Sequence, residues 1–442
     1  MTATAKLQNP EPTAGTLAVG FRWRAREFFL LLFPVALTAL GFYVLQQLEG
    51  RVDVERYWPA IVLGVAALVM HLILCWKAPD ADEMLLPITL MMNGMGLVMI
   101  ERLASNFTVR QTSSMIIGML VCLALTLWNE GPRYAERYRY TLILPGILLL
   151  TVGLVLSFVG EGPGRSVLAI TDRFGIQPSE PLKLLLVLFL AGFLDFHREK
   201  FATVRLTHPF QDRRWLWVFI PLLGMWGISM LLLILQRDLG AALLFFTIFL
   251  VLAYLATQRI DYVALSLGFF MLGAFVAYQA LSYVATRFEV WLDPWSFNQG
   301  AGYQLIQALL AVAHGGVFGQ GLGQGFPGFV PVVHSDFILA AIGEEWGLAG
   351  ILAVIGLYLI FLLRGFYVAM RAPDSFEQLV AAGLTALLCM QALIIMAGSL
   401  KLVPLTGITL PFISYGGTSL MTSYALLGMV LRISRDRNLE PV

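Results

Sequence analysis

Long apolar runs recur along the whole chain, separated by polar segments that are mostly short. A helix crosses the hydrocarbon core of a bilayer when about 18 or more residues in succession are apolar. Because backbone groups cannot stay unpaired in lipid, such runs predict helices and not strands. The expected fold is therefore an all-α polytopic membrane bundle of about twelve transmembrane helices. The predicted spans, of which the sixth is short, are 28–46, 57–76, 84–100, 112–128, 141–159, 182–195, 216–235, 240–257, 263–281, 337–363, 378–399 and 417–433.

Composition and charge agree with a membrane protein and suggest its orientation. Hydrophobic residues make up 58% of the 442 residues and charged residues only 13%. With the N-terminus inside, about two thirds of the basic residues fall on the cytoplasmic side, as the positive-inside rule requires. Arginines cluster at both ends, including Arg22 and Arg24 before the first run and Arg432 and Arg435 at the last. We therefore expect both termini to be cytoplasmic.

Residues 282–336 form the one long segment between predicted spans, and this orientation places it outside. A long segment in a compact membrane protein is usually functional. Within it, Tyr303 to Ala313 predicts one amphipathic helix that ends at a turn of His314, Gly315 and Gly316. Residues 1–27 and 435–442 are expected to be polar cytoplasmic tails.

Several ionisable residues lie at or near membrane depth, where charge is costly and often functional. Glu180 and Lys183 are three apart at the start of the sixth run, so they can pair on one helical face. Asp238 and Asp336 each precede a predicted helix, where a carboxylate suits the helix N-terminus. A structural ion pair and structural helix caps are the plain alternatives. The cysteines show no metal-ligand spacing, so the sequence identifies no metal.

Four motifs give the chain a family resemblance. The segment from Leu402 contains LPFISYGGTS, which is followed by an apolar helix. QPSEPLK begins at Gln177, QRDLG at Gln236, and HSDFILAAIGEEWG at His334. Together they resemble the SEDS proteins of shape, elongation, division and sporulation, which include RodA, FtsW and SpoVE. The resemblance covers residues 84–434, so residues 28–83 are expected to form two additional N-terminal helices.

This resemblance implies an enzyme of bacterial cell-wall synthesis in the cytoplasmic membrane. Members polymerise lipid II, an undecaprenyl-diphosphate-linked disaccharide peptide, into peptidoglycan strands by inverting glycosyl transfer. The usual partner is a class B penicillin-binding protein, and no nucleic acid is involved. A divalent cation, Mg or Mn, is expected to shield the diphosphate. The expected substrate-binding and diphosphate-binding residues are Arg165, Glu180, Lys183, Asp238, Asp336 and Lys401.

One departure from the family concerns the catalytic base. Members carry an aspartate in the second half of a DP-x-x-DP-x-G-x-GYQ segment, and here the segment is DPWSFNQGAGYQ from Asp293. Phe297 occupies the place of that aspartate and cannot accept a proton. Asp293 is the candidate surrogate base, although an aspartate before proline also suits a turn. Glu289 and Asp336 are further options.

Two other functions therefore stay open. A catalytically degenerate member would bind lipid II and a transpeptidase as a scaffold, and Phe297 favours this alternative. A transporter, or flippase, of lipid-linked precursors would suit twelve helices with buried ionisable residues. A polymerase needs a carboxylate on the long outer segment, a transporter needs ionisable groups along a midplane path, and a scaffold needs neither.

Overall fold

The computed structural model describes residues 21–48, 50, 53–138, 141–159, 168–171, 174–199, 227, 231, 234–235 and 237–436. Its α-helices are α1 Ala25–Leu48, α2 Trp58–Lys77, α3 Leu85–Ala104, α4 Thr108–Leu127, α5 Gly131–Arg137, α6 Ile143–Val159, α7 Ser179–Phe196, α8 Leu239–Thr257, α9 Ile260–Ala280, α10 Ser282–Leu292, α11 Tyr303–Gly315, α12 Ile338–Met370, α13 Ser375–Ser399 and α14 Gly417–Arg435. One antiparallel hairpin joins β1 Leu168–Thr171 to β2 Phe174–Ile176.

The predicted polytopic helical architecture is confirmed. Eleven of the twelve predicted spans coincide with described helices, and the span at 216–235 lies almost wholly outside the described residues. Within the described part of the chain, seven helical stretches are long and apolar enough to cross a membrane. The sequence did not predict the short hairpin. We call the end of the bundle that carries residues 281–337 and 400–416 the loop face.

Residues 282–336 are not an open loop, because α10, α11 and two 3₁₀ turns occupy much of the segment. The predicted amphipathic helix forms as α11, with Gly316 at its C-cap. Past it, the backbone pairs with α12, where Gly347 interrupts the helical geometry at φ 68°. Gly321 N donates to the Glu345 carbonyl at 2.9 Å, and Leu348 N donates to the Gly316 carbonyl at 2.9 Å. The kink in α12 and the glycine-rich turn thus satisfy each other's backbone groups.

A second non-helical segment enters the bundle between α13 and α14. We call residues 404–416 the re-entrant segment, because its stretch 410–414 is buried among α3, α4, α12 and α13. Side chains from those helices donate to its carbonyl oxygens. Asn93 on α3 donates to Phe412 O at 3.1 Å, and Gln391 on α13 donates to Thr409 O at 2.8 Å. Backbone at membrane depth is tolerated only when it is paired in this way.

Two further contacts complete the support of the re-entrant segment. Tyr358 on α12 donates its hydroxyl to Pro411 O. Gln111 on α4 donates to Ser414 O at 3.1 Å and accepts from Gly416 N at 3.4 Å. Gly96 on α3 has no side chain to obstruct this packing: a Cβ there would lie 2.4 Å from Ile413 O. The segment is therefore fixed by helices on several sides.

The two N-terminal helices pack directly on the rest of the bundle. Gly41 of α1 lies against Val98 of α3, where an added Cβ would approach the valine side chain to 2.7 Å. At the opposite end from the loop face, Glu27 of α1 accepts from His71 of α2 at 2.8 Å, and both side chains are fully buried. The expected boundary between these helices and a core beginning at residue 84 stays a prediction.

We predict that Gln111→Met lowers the free energy of unfolding by about 1–3 kcal/mol, because a buried carbonyl then loses its donor. Methionine keeps the size of the buried side chain. Thr112→Val is the matched control, since the Thr112 hydroxyl is buried without a partner among the described residues. Thermal unfolding in detergent measures both. Equal destabilisation by the two variants would contradict this role for Gln111.

Candidate functional site

A buried ion pair lies on α7 near the loop face. Lys183 Nζ donates to both carboxylate oxygens of Glu180, at 2.7 and 2.8 Å, and to Gln391 Oε1 at 2.9 Å. The side chains of Lys183 and Glu180 are only 2% and 9% exposed. Gln391 in turn donates to Thr409 O. The predicted pairing is present, and it is linked through one amide to the re-entrant segment.

Asp238 begins α8 on the same end of the bundle. Its Oδ1 accepts from Ala241 N at 3.0 Å, so the carboxylate caps the helix, and its Oδ2 lies 3.5 Å from Gln177 Nε2. Gly240, two residues later, packs so closely on Thr406 that an added Cβ would lie 2.7 Å from its carbonyl oxygen. The cap interpretation is consistent with this geometry. Asp238 nevertheless lies beside the re-entrant segment.

Asp336 lies just before α12 and faces the same segment. Its Oδ1 accepts from the Ser335 hydroxyl at 2.7 Å, and a Cβ on Gly407 would lie 3.8 Å from its Oδ2. Burial raises the pKa of Asp336, while the Ser335 hydrogen bond and the charge of Arg287 oppose that rise. Arg287 on α10 also donates to the carbonyls of Leu405 and Thr406, at 3.0 and 3.1 Å. The charge of Arg287 thus acts on the Asp336 carboxylate beside the re-entrant segment.

Asp293 has a different environment from Asp336. It is exposed and begins a 3₁₀ turn, where it accepts from Trp295 N at 3.2 Å and from the Ser296 hydroxyl at 2.5 Å. The Ser296 hydrogen bond is the largest cause that lowers the pKa of Asp293, and the charge of Lys401 adds to it. Both carboxylate oxygens therefore serve the turn that the aspartate–proline sequence predicted.

Phe297 ends that 3₁₀ turn and is half-buried, packed against the hydrophobic core. Its carbonyl accepts from Gly300 N at 3.0 Å and from Gly302 N at 3.1 Å. An added Cβ on Gly302 would lie 3.1 Å from the Phe297 Cβ. Phe297 therefore anchors the turn, and an aspartate in its place would lose that packing.

The predicted site residues fall into two groups. Four of them are linked to the re-entrant segment: Glu180 and Lys183 through Gln391, Asp238 through the neighbouring Gly240, and Asp336 through Gly407. Lys401 and Asp293 lie together nearer the surface; Lys401 O accepts from Trp291 Nε1 at 3.0 Å. Arg165 lies outside the described residues. That these residues share one substrate site stays a prediction.

The sequence did not identify several residues that complete this region. Gln391 is an amide in the middle of a largely apolar helix, and Arg287 is a cation on the long segment 282–336; both signals were visible in the sequence. The adjacent Glu344 and Glu345 of the HSDFILAAIGEEWG motif are both buried. Adjacent residues on a helix point in different directions, so the two carboxylates have different partners. Glu344 contacts His314 at 3.2 Å, and Glu345 contacts Arg102 at 3.1 Å.

A metal ion has no built site in the described part of the chain, where no group of three His, Cys, Asp or Glu side chains could hold one. Glu180 is engaged by Lys183, and Asp238 by the helix start. The expected Mg or Mn is therefore not supported by these donors, and no chemical step is assigned to it.

The fold and the loop face define a multi-pass membrane protein with polar groups beneath the ordered segment 282–336. Comparison with known proteins agrees with this class. The RodA peptidoglycan glycosyltransferase of Mycobacterium tuberculosis strain H37Rv is 36% identical over 471 residues, covering 99% of this chain and 97% of that protein. A model of the FtsW, RodA and SpoVE family of cell cycle proteins matches residues 83–439, and the chain belongs to that family. This agrees with the resemblance noted over residues 84–434.

Solved structures lead to the same family. A chain of a peptidoglycan synthase complex that coordinates polymerization and crosslinking matches with a TM-score of 0.65 at 27% identity, covering 81% of this chain and 99% of that chain. The rod shape determining protein RodA of Thermus thermophilus matches with a TM-score of 0.57 at 26% identity, covering 81% and 98%. The likeness therefore extends over nearly the whole of both solved chains.

We predict that Lys183→Met lowers the free energy of unfolding by about 3–5 kcal/mol, because it leaves the Glu180 carboxylate buried without its cation. The double variant Glu180→Gln with Lys183→Met removes both charges and should recover most of that loss. Thermal unfolding of the two variants tests this. Equal stability of the single and double variants would show that the pair is not coupled.

Proposed function

We propose that this protein polymerises lipid II into peptidoglycan glycan strands at the loop face. The observation that carries the proposal is the gathering of Glu180, Lys183, Asp238 and Asp336 around the re-entrant segment, in a chain that aligns over 99% of its length with a RodA glycosyltransferase. In the reaction, the 4-hydroxyl of the acceptor sugar attacks the anomeric carbon of the donor. The glycosyl–oxygen bond to undecaprenyl diphosphate breaks, a base takes the hydroxyl proton, and the configuration inverts.

Asp336 suits the role of base better than Asp293 does. A general base works best when its pKa approaches the operating pH. Burial moves the pKa of Asp336 in that direction, whereas hydrogen bonding moves the pKa of Asp293 away from it. Both oxygens of Asp293 also hold the turn, while Asp336 Oδ2 faces Gly407 at the re-entrant segment.

Positive charge near the same segment would stabilise the departing diphosphate. Arg287, held by the carbonyls of Leu405 and Thr406, is the guanidinium beside Asp336. Lys401 supplies a second cation near the surface. Arg165 and a divalent cation that arrives with the substrate are further proposals from the family resemblance. A class B penicillin-binding protein is the proposed crosslinking partner.

The activity test is the polymerisation of purified lipid II by the full chain, with and without a cognate transpeptidase. We predict that Asp336→Asn lowers the rate by about 10²–10⁴, the contribution of a general base. Asp293→Asn is the matched control and should retain most of the activity. If Asp293→Asn loses activity and Asp336→Asn retains it, Asp293 is the base. If the wild type does not polymerise but binds the transpeptidase, the protein acts as a scaffold.

The pH dependence of kcat/KM separates the same two carboxylates, because it reports the pKa values of the free enzyme. A base must be deprotonated, so activity falls as the pH drops through its pKa. If Asp336 is the base, the acid limb lies above the usual aspartate value of 3.8, because burial raises this pKa. An acid limb below 3.8 would favour Asp293 instead.

We further propose that the loop face lies outside the bacterial plasma membrane and that both termini are cytoplasmic. A cysteine introduced at exposed Ser296 should then react with a membrane-impermeant maleimide on intact cells. A cysteine at exposed Asn129, on the opposite end of the bundle, is the matched control and should react only after permeabilisation. The reverse pattern would invert the topology.

A further inference from the structure

An apolar groove of about 520 Å³ opens along the bundle between α1, α3 and α12. Its α1 lining runs from Leu37 to Val44 and its α3 lining from Met91 to Val98. Leu322, from the glycine-rich turn that follows α11, lines it at the loop face. The groove thus extends from about the middle of the bundle toward the loop face. It is remote from the Glu180–Lys183 pair and plays no part in the proposed reaction.

A small polar recess of about 50 Å³ lies one helical turn further toward the loop face. It is lined by Phe42, Leu45 and Gln46 of α1, Glu101 and Arg102 of α3, and Arg56. Gln46 is only 3% exposed. Its Oε1 accepts from Asp53 N at 2.9 Å, but its Nε2 has no hydrogen-bond partner among the described residues. A buried amide donor without a partner is costly, so it indicates a missing acceptor.

The lining of the groove limits what can occupy it. Its side chains are apolar apart from Thr38, whose hydroxyl already donates to Pro34 O at 2.7 Å. The groove therefore offers a hydrocarbon chain an apolar surface with no polar partner. Continuity along α1 and α3 then places the head of that molecule at the recess, beside Gln46 Nε2. Arg102 also lines the recess, but its guanidinium already donates to Glu345 and to the carbonyls of Gly323 and Gly325. The Gln46 amide is therefore the donor that the recess offers to a phosphate oxygen.

We propose that this groove binds a phospholipid of the leaflet at the loop face. One acyl chain lies between α1 and α12, and a phosphodiester oxygen of the same lipid accepts from Gln46 Nε2. The lipid fills the space between the N-terminal helix and the kinked α12, and so couples the two additional helices to the rest of the bundle. This proposal does not depend on the proposed glycosyl transfer.

One substitution can fill the groove with a larger side chain without a steric clash. A Cβ added to Gly356 of α12, which lines the groove, meets no atom within 4 Å. Gly356→Leu should therefore place its side chain in the groove without a clash, and leucine also favours the helix over glycine. Gly273→Leu on α9 is the matched control, because a Cβ there also meets no atom within 4 Å and the groove is elsewhere. Ala353→Leu, on the same wall of the groove, is an independent second variant.

The head of the lipid is tested separately. Gln46→Glu keeps the acceptor for Asp53 N and replaces the unpaired donor by a carboxylate oxygen, which repels phosphate. Loss of a hydrogen bond to a charged group is worth about 1.5–3 kcal/mol, which corresponds to roughly tenfold or more in affinity.

Native mass spectrometry of the detergent-purified full chain, titrated with phosphatidylglycerol, measures the binding. We expect Gly356→Leu, Ala353→Leu and Gln46→Glu each to weaken binding at least about tenfold, and Gly273→Leu to leave it unchanged. The wild type should bind diacylglycerol with the same acyl chains more weakly than phosphatidylglycerol. Gln46→Glu should not show this preference. Unchanged binding in both groove variants would overturn the proposal. Equal binding of the two lipids by the wild type would also overturn it. A third test is the labelling of a Gly356→Cys thiol by a maleimide. Protection of this thiol by a partner protein, and not by phosphatidylglycerol, would contradict the proposal as well.

Discussion

Backbone carbonyls that lie at membrane depth without a helix to pair them are the constraint on which this structure depends. The re-entrant segment breaks the helical pattern between α13 and α14, and water is absent from the hydrocarbon core. Its carbonyls are paired instead by Asn93, Gln111, Tyr358 and Gln391, which come from four different helices. Those polar side chains fix where α3, α4, α12 and α13 stand around the segment.

The same arrangement explains why charged groups can be buried next to it. Lys183 satisfies Glu180 and reaches Gln391, so the ion pair and the support of the segment share one amide. Arg287 pairs with carbonyls of the segment and at the same time provides charge beside Asp336. A polar site is thereby held by hydrogen-bonded neighbours, which is the preorganisation that stabilises developing charge.

The helices could be predicted from the sequence because long apolar runs admit few alternatives in a membrane. The Glu180–Lys183 pair and the caps at Asp238 and Asp293 were also predictable, since each depends on residues within three or four positions. The placement of Arg287 where its charge acts on Asp336, and the pairing of Glu345 with Arg102, were not. Both involve residues far apart in the chain, and their positions follow from the kink at Gly347 and the course of the re-entrant segment. The half-buried position of Phe297 likewise depends on packing that no local pattern reveals.

Hydrogen exchange of the re-entrant segment tests the central claim most directly. Leu410 N donates to the Ser414 hydroxyl at 3.0 Å, and Tyr415 N donates to His334 O at 2.9 Å, so these amides are paired as well as buried. We predict that the amides of Leu410 and of residues 412–415 exchange as slowly as those of α3, and that Gln391→Met accelerates them. Exchange as fast as that of the exposed residues 298–300 in the wild-type protein would contradict a segment held by its neighbours.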